Sequence, residues 1–229
     1  MPTSAGNSRR RVFLILGALT ATVGAVGLLH APFGRLLMLR AGGCPLASAK
    51  LTVAQAENSR HLALRELKGT GVAPVRPALG FTLDVTTLAE ARAWASSRHV
   101  RCEEPREALL RCAQVMPDAL GLPSCQGPAE LSLGFDTRGL LVDVATFRAQ
   151  LPVETASRAA TDIAGSLVAT LGPSQTAVGS FDVDHLSRPG AWSIATRSYR
   201  YGDYVAGLTA MRLPSGGFAV REQYLSARE

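Results

Sequence analysis

The stretch Val12–Leu29, VFLILGALTATVGAVGLL, constrains this chain most: eighteen residues without a charge, directly after Arg9-Arg10-Arg11. A bilayer core of about 30 Å takes about twenty apolar residues in a helix. Val12 to Ala31 meets that length, with His30 as its one interruption near the outer end. The spacing predicts a membrane anchor. The arginine excess before it predicts an N-terminus in the cytoplasm and a body outside; Arg35 and Arg40 weaken that bias without reversing it. Two other fates stay open. One is a signal peptide cut at Leu29-His30-Ala31 or Ala25-Val26-Gly27. The other is lipidation at Cys44, although Ala41-Gly42-Gly43 before it is only a partial lipobox. Gly17, Ala21 and Ala25 form a small-residue ridge that would suit helix pairing, or no more than an Ala/Gly-rich helix.

The formal net charge of +6 belongs to this end of the chain. Residues 1–40 hold five arginines (9, 10, 11, 35 and 40) and no acid; the other 189 residues carry 19 basic and 18 acidic side chains. No basic run with interleaved aromatics follows, so nucleic acid is not an expected partner. A chain 47% apolar and 18% charged can fill a packed core.

Three regions follow from composition and breakers: 1–40 as basic tip and anchor, 41–78 as a helical spacer, and 79–229 as the body. In the spacer, Ser48 would cap a helix over 49–68 with Gly69 beyond its end. Its apolar positions are Leu51, Ala54, Leu62, Leu64 and Leu67, with His61 among them. Prolines 74 and 77 keep the next stretch extended.

The body reads as alternating segments and helices. Residues 79–85 alternate. Thr87-Leu88-Ala89-Glu90 is a capping box opening a helix to about Ser97 that buries Leu88, Ala91, Trp94 and Ala95. A hairpin over 99–115 turns near Glu107. A loop over 116–127 leads to a second hairpin: Leu131, Leu133 and Phe135 face the core from one strand, and Leu140, Val142 and Val144 from the other. Pro152 opens a helix with Ala156, Ala160, Ile163, Leu167 and Leu171 as its inner stripe, and Gly172-Pro173 ends it. A strand over 176–182 and a polar loop precede a three-strand meander over 192–201, 204–213 and 218–225. Each half, 79–149 and 150–229, thus reads helix then strands. The order implies an α+β body with helices on one face of antiparallel sheet.

Thr87-Leu88-Ala89-Glu90-Ala91 with its strands, and Leu171-Gly172-Pro173 followed by the 192–225 meander, resemble the small outer-membrane assembly lipoproteins of the BamE/SmpA type. That family has a helix, a glycine and a three-stranded meander. The resemblance covers the pattern of each half, and this chain differs in its membrane helix, its incomplete lipobox and its extra cysteines. It implies an envelope-facing interaction module and transfers no functional residues.

The chemistry-bearing residues are sparse. Cysteines 44, 102, 112 and 125 contain no C-x-x-C, so zinc and redox pairs are unsupported. Outside the cytoplasm an even count favours disulfides. A hairpin centred on Glu107 sets Cys102 opposite Cys112, which leaves Cys44 for Cys125; free buried thiols are the alternative. His30, His61, His99 and His185 lack ligand spacing. Asp182, Asp184 and His185 could meet a cation but lack the glycine and glutamate of a calcium loop. Trp192, Tyr199, Tyr201, Tyr204 and Tyr224 gather in the meander, where such rings serve a binding face or cross-strand packing. No nucleotide or hydrolase motif occurs, and no cofactor or metal is expected.

The expectation is therefore a single-pass inner-membrane protein with its body in the periplasm or otherwise outside the cytoplasm. It would be held by Val12–Leu29 and act as a non-enzymatic interaction or scaffold module for an unknown protein partner. The alternative is a small-ligand binder or enzyme with a pocket between sheet and helices. A deep pocket with converging polar groups favours the alternative; an exposed sheet face favours the first.

Overall fold

The computed structural model describes residues 52–121, 127–188 and 193–228. Val12–Leu29, His30, Cys44, Cys125 and Trp192 lie outside them. Among the described residues, no helix is long and apolar enough to cross a membrane.

The body is α+β. In chain order it has helix α1 (Val53–Leu67), helix α2 (Leu88–Ser97), strands β1 (Cys102–Arg106), β2 (Leu109–Val115), β3 (Ala129–Phe135) and β4 (Leu141–Leu151), and helix α3 (Val153–Leu171). Strand β5 (Thr176–Val178), helix α4 (Val183–Leu186), and strands β6 (Ile194–Arg200), β7 (Tyr204–Arg212) and β8 (Phe218–Ser226) complete it. A 3-10 turn, Pro117–Leu120, lies between β2 and β3.

All eight strands form one antiparallel sheet in the order β1-β2-β3-β4-β8-β7-β6-β5. Each half therefore supplies a helix and four strands laid down in sequence order, and the halves join where β4 pairs β8. The second half adds α4 between β5 and β6.

Two capping boxes start helices. Thr87 and Glu90 exchange side-chain to backbone hydrogen bonds at α2, as the sequence predicts. At α1 the same device is Thr52 with Gln55, so the described helix begins at Val53 rather than 49, where Ser48 was expected as cap. Gly69 is not a left-handed helix stop; a Cβ there would run into the carbonyl of Arg200. Leu64 is the buried residue of α1, and Leu62, expected on its inner stripe, is exposed.

Residues 79–85 form turns, not a strand. Leu79 and Asp84 take positive φ, and the alternation instead tucks Phe81 and Leu83 into the core. The strand expected over 176–182 stops at Val178. Gly179 turns with φ +65°, where a Cβ would meet His185 and the Ile194 carbonyl. In the β3–β4 hairpin the register shifts between Gly134 and Phe135, so Phe135 opposes Leu141. Leu141 and Val142 are consequently both buried, while Leu140, expected inward, is only half-buried.

The main core fills the sheet face covered by α2 and α3. Ala156, Ala160, Ile163, Leu167 and Leu171 line the buried side of α3 as predicted. They meet Leu131, Leu133, Val144, Ala206, Leu208 and Val220 from the sheet. Helix α1 lies on the other face: Leu64 packs in a separate small cluster with Val205, Leu225 and Ala227, and Arg60 donates to the Ser226 carbonyl at 2.7 Å. Ser132, Ala145, Phe147, Thr196, Ser198, Gly207 and Thr209 on that second face are half-buried.

Cys102 pairs directly with Cys112 across β1 and β2 and is bonded to it, with Cα atoms 4.0 Å apart. The neighbouring Ala113 amide donates to Arg101, which makes Cys102/Cys112 a non-hydrogen-bonded pair, the position where antiparallel strands approach closest.

Candidate functional site: a cavity beside a buried ionic network

At the seam of the two halves, strand alternation turns Thr146 and Arg148 of β4 to the same face as Val220, Glu222 and Tyr224 of β8. Thr146 opposes Glu222 directly, and Arg148 opposes Val220. That face is the packed one, so an arginine and a glutamate stand inside the core, both fully buried. Removing two charges from water costs several kcal/mol each unless they find one another and further hydrogen bonds. Here Glu222 Oε1 accepts from Thr146 Oγ1 at 2.8 Å and from Arg148 Nη1 at 3.1 Å; Glu222 Oε2 accepts from the Tyr224 hydroxyl at 2.8 Å. Arg148 Nη1 also donates to Thr146 Oγ1 at 3.2 Å.

The network is unevenly satisfied. Both Glu222 oxygens have donors, whereas Arg148 Nε and Nη2 are buried with no hydrogen-bond partner. These two nitrogens form one edge of the guanidinium fork. Tyr224 is held far from ionising by burial first, then by the Glu222 charge and the hydrogen bond it gives that carboxylate.

Above Glu222 and Tyr224 lies a cavity of about 520 Å³ between α2 and α3. That size is within the range of small-molecule sites. Leu79, Trp94, Leu120, Ile163 and Leu167 give it apolar walls, and Arg98, Asp118, Ser166 and Thr170 stand at its exposed rim. Three devices fix the walls. Trp94 stands edge-on to Phe81 with ring centroids 5.0 Å apart. The Tyr204 hydroxyl donates to the Pro77 carbonyl at 2.6 Å. The Thr170 hydroxyl turns back to its own helix at Ser166.

Glu222 accepts from three donors, and Tyr224 gives its hydroxyl hydrogen to Glu222.

The residues singled out from sequence are dispersed. Cys102 and Cys112 sit at the sheet edge, away from the cavity. Of the meander tyrosines, Tyr199, Tyr204 and Tyr224 are core residues and Tyr224 alone lines the cavity; Tyr201 donates to the Leu171 carbonyl. Asp182 caps α4 by accepting from the His185 amide at 2.6 Å, which occupies the carboxylate of the proposed cation cluster. His61 lies between Glu57 and Arg60 on α1. Thr146, Arg148 and Glu222 were not singled out. The inward phase of Val142 and Val144, continued two steps, falls on Thr146 and Arg148; the phase of Val220 and Tyr224 includes Glu222. A charge in a core phase on two strands was the available signal.

No family model, no curated protein and no solved structure matches the chain.

Proposed function

We propose that this chain is a membrane-tethered binding protein of the cell envelope, whose body outside the cytoplasm holds a small molecule in the cavity between α2 and α3. The cavity carries the reading: its size, its apolar walls and the polar groups converging at one end are those of a ligand site. The arginines before Val12 support the orientation. The Cys102–Cys112 bond suits an oxidising compartment, and the resemblance to envelope lipoproteins points the same way. Binding without turnover fits a carboxylate, Glu222, that already accepts from Thr146, Arg148 and Tyr224.

Two measurements test this. A reporter active only outside the cytoplasm, fused after Glu229, should be active; a cytoplasmic reporter working in its place refutes the orientation. Native mass spectrometry of the full chain, recovered from its own membrane, should show an added small-molecule mass. The rim variant Ser166→Trp, which projects a large ring over the mouth, should lose it. If the wild-type chain carries no added mass above that of its own polypeptide, or the variant carries the same added mass as the wild type, the cavity is not the working part. The half-buried sheet face beside α1, and protein scaffolding, then become the reading.

A further inference from the structure

We infer that the ligand of this cavity is an α-amino acid with a large apolar side chain, seated with that side chain between α2 and α3 and with its carboxylate and ammonium at the mouth, between Arg98 and Asp118. This rests on the cavity being a ligand site and names the chemistry of what fills it. The two ends of the cavity differ. At the deep end, Glu222 accepts from Thr146, Arg148 and Tyr224, and the Tyr224 hydroxyl gives its hydrogen to Glu222. These two lining residues find their partners within the protein. The walls above them are Leu79, Trp94, Leu120, Ile163 and Leu167. A charged head carried down to that level would trade its water for apolar side chains, which is costly. The apolar part of the ligand therefore goes in first, and its burial supplies most of the affinity.

The mouth is the reverse. Arg98 is the residue that ends α2, and Asp118 stands in the first turn of the 3-10 turn Pro117–Leu120. Both line the cavity, and both also line the adjoining hollow beside His99 and Met116, so the two side chains border the same strip of surface. Both are exposed, and neither side chain has a hydrogen-bond or ion-pair partner among the described residues, the other included. A cation and an anion thus stand beside one opening without meeting. A ligand with a single charge is attracted by one of them and repelled by the other. A head with both charges is attracted by both, and at the exposed rim it keeps its water. An α-amino acid sets its carboxylate and ammonium on the carbon next to the side chain, which puts both charges at one end of an apolar body. A single-chain ethanolamine phospholipid carries the same two charges on an apolar body and is the rival source of that chemistry. Exposed ion pairs are weak one by one, so the head governs selectivity more than strength.

Four probes share one apolar body: L-phenylalanine, 3-phenylpropanoate without the ammonium, phenethylamine without the carboxylate, and ethylbenzene with neither. Each is titrated by calorimetry into the full chain held in phosphatidylglycerol nanodiscs at low salt. L-Phenylalanine should bind at least about fivefold tighter than either single-charge probe. Arg98→Gln should bring it to the level of phenethylamine and leave phenethylamine itself no weaker. Asp118→Asn should bring it to the level of 3-phenylpropanoate and leave that probe no weaker. Ser166→Trp should block all four. Equal binding of the four probes, a single-charge probe binding tightest, or a preference for L-phenylalanine that survives both Arg98→Gln and Asp118→Asn overturns the amino-acid assignment and leaves the cavity reading standing. Lysophosphatidylethanolamine binding the wild-type chain more tightly than L-phenylalanine does the same. No binding by any probe at millimolar concentration, in a folded wild-type chain, overturns both.

Discussion

Replacing Glu222 by Leu should be among the most damaging single changes available in this protein, and the reason lies in what stays behind. The substitution roughly conserves volume, so little of the cost is a void. It strands the Arg148 charge in the core and removes the acceptor of Thr146 Oγ1, Arg148 Nη1 and the Tyr224 hydroxyl together. Breaking a buried ion pair from one side costs about 3–5 kcal/mol. For a body of this size each kcal/mol moves the melting midpoint by about 2–4 °C, so the expected fall is about 6–20 °C. Arg148→Met should cost less, because Glu222 keeps its two neutral donors, Thr146 and Tyr224. Arg148→Met/Glu222→Leu removes both charges and should recover most of the loss, ending within about 2 kcal/mol of the parent. Urea unfolding of residues 41–229, followed by circular dichroism, supplies all four corners of the cycle. A double variant as unstable as the two single changes added together, or Glu222→Leu costing under about 1 kcal/mol, would show that Glu222 and Arg148 are not coupled.

Residues 41–229 without the preceding segment should fold, since the core begins at Leu64; an unfolded circular dichroism spectrum under oxidising conditions would refute that. Cys102→Ser/Cys112→Ser removes a crosslink between positions ten residues apart, worth about 2.7 kcal/mol of chain entropy, and should cost scarcely more than either single change; peptide mapping of unreduced protein checks the pairing. Asp143→Asn should raise stability at neutral pH. Burial lifts the Asp143 carboxyl above its ordinary 3.8, outweighing the hydrogen bond from Gln223. Its stabilising contribution is therefore present below 3.8 and lost as pH rises through the lifted value, and the amide removes that loss while still accepting from Gln223. Thr87→Ala should cost about 1 kcal/mol by leaving the first amides of α2 uncapped, seen as an earlier urea midpoint.

What the sequence carries best here is local. The Thr87–Glu90 capping box, the stripe from Ala156 to Leu171, the Leu131/Leu133/Phe135 alternation and the hairpin symmetry that pairs Cys102 with Cys112 each depend on residues within a turn or a hairpin of one another. Signals that failed were those where one backbone detail shifts a phase. A bulge at Gly134/Phe135 moved Leu140 out of the core, and left-handed turns at Leu79 and Asp84 dissolved a strand whose Phe81 and Leu83 are nonetheless buried. The candidate site was harder still. Thr146 and Glu222 meet only because β4 pairs with β8 across 76 residues, and hydropathy treats a buried Arg148 as a surface residue. Two charges in core phases could have been matched by asking which partner each needs.

The sheet order has a consequence for how the molecule is made. β8 is the last of the eight strands among the described residues, yet it lies between β4 and β7 near the middle of the sheet. As a chain emerges N-terminus first, the first half can lay down β1 to β4 and the second β5 to β7. Until β8 is in place, β4 and β7 each keep an unpaired edge. The two edges are closed by a single insertion, which also brings Glu222 to Arg148 and so neutralises the charge in the core. Before that moment, β8 of another copy offers the same strand to the same slot, and crowded synthesis would yield exchanged pairs of chains. The central strand is thus both the clasp of the fold and its point of mistaken identity.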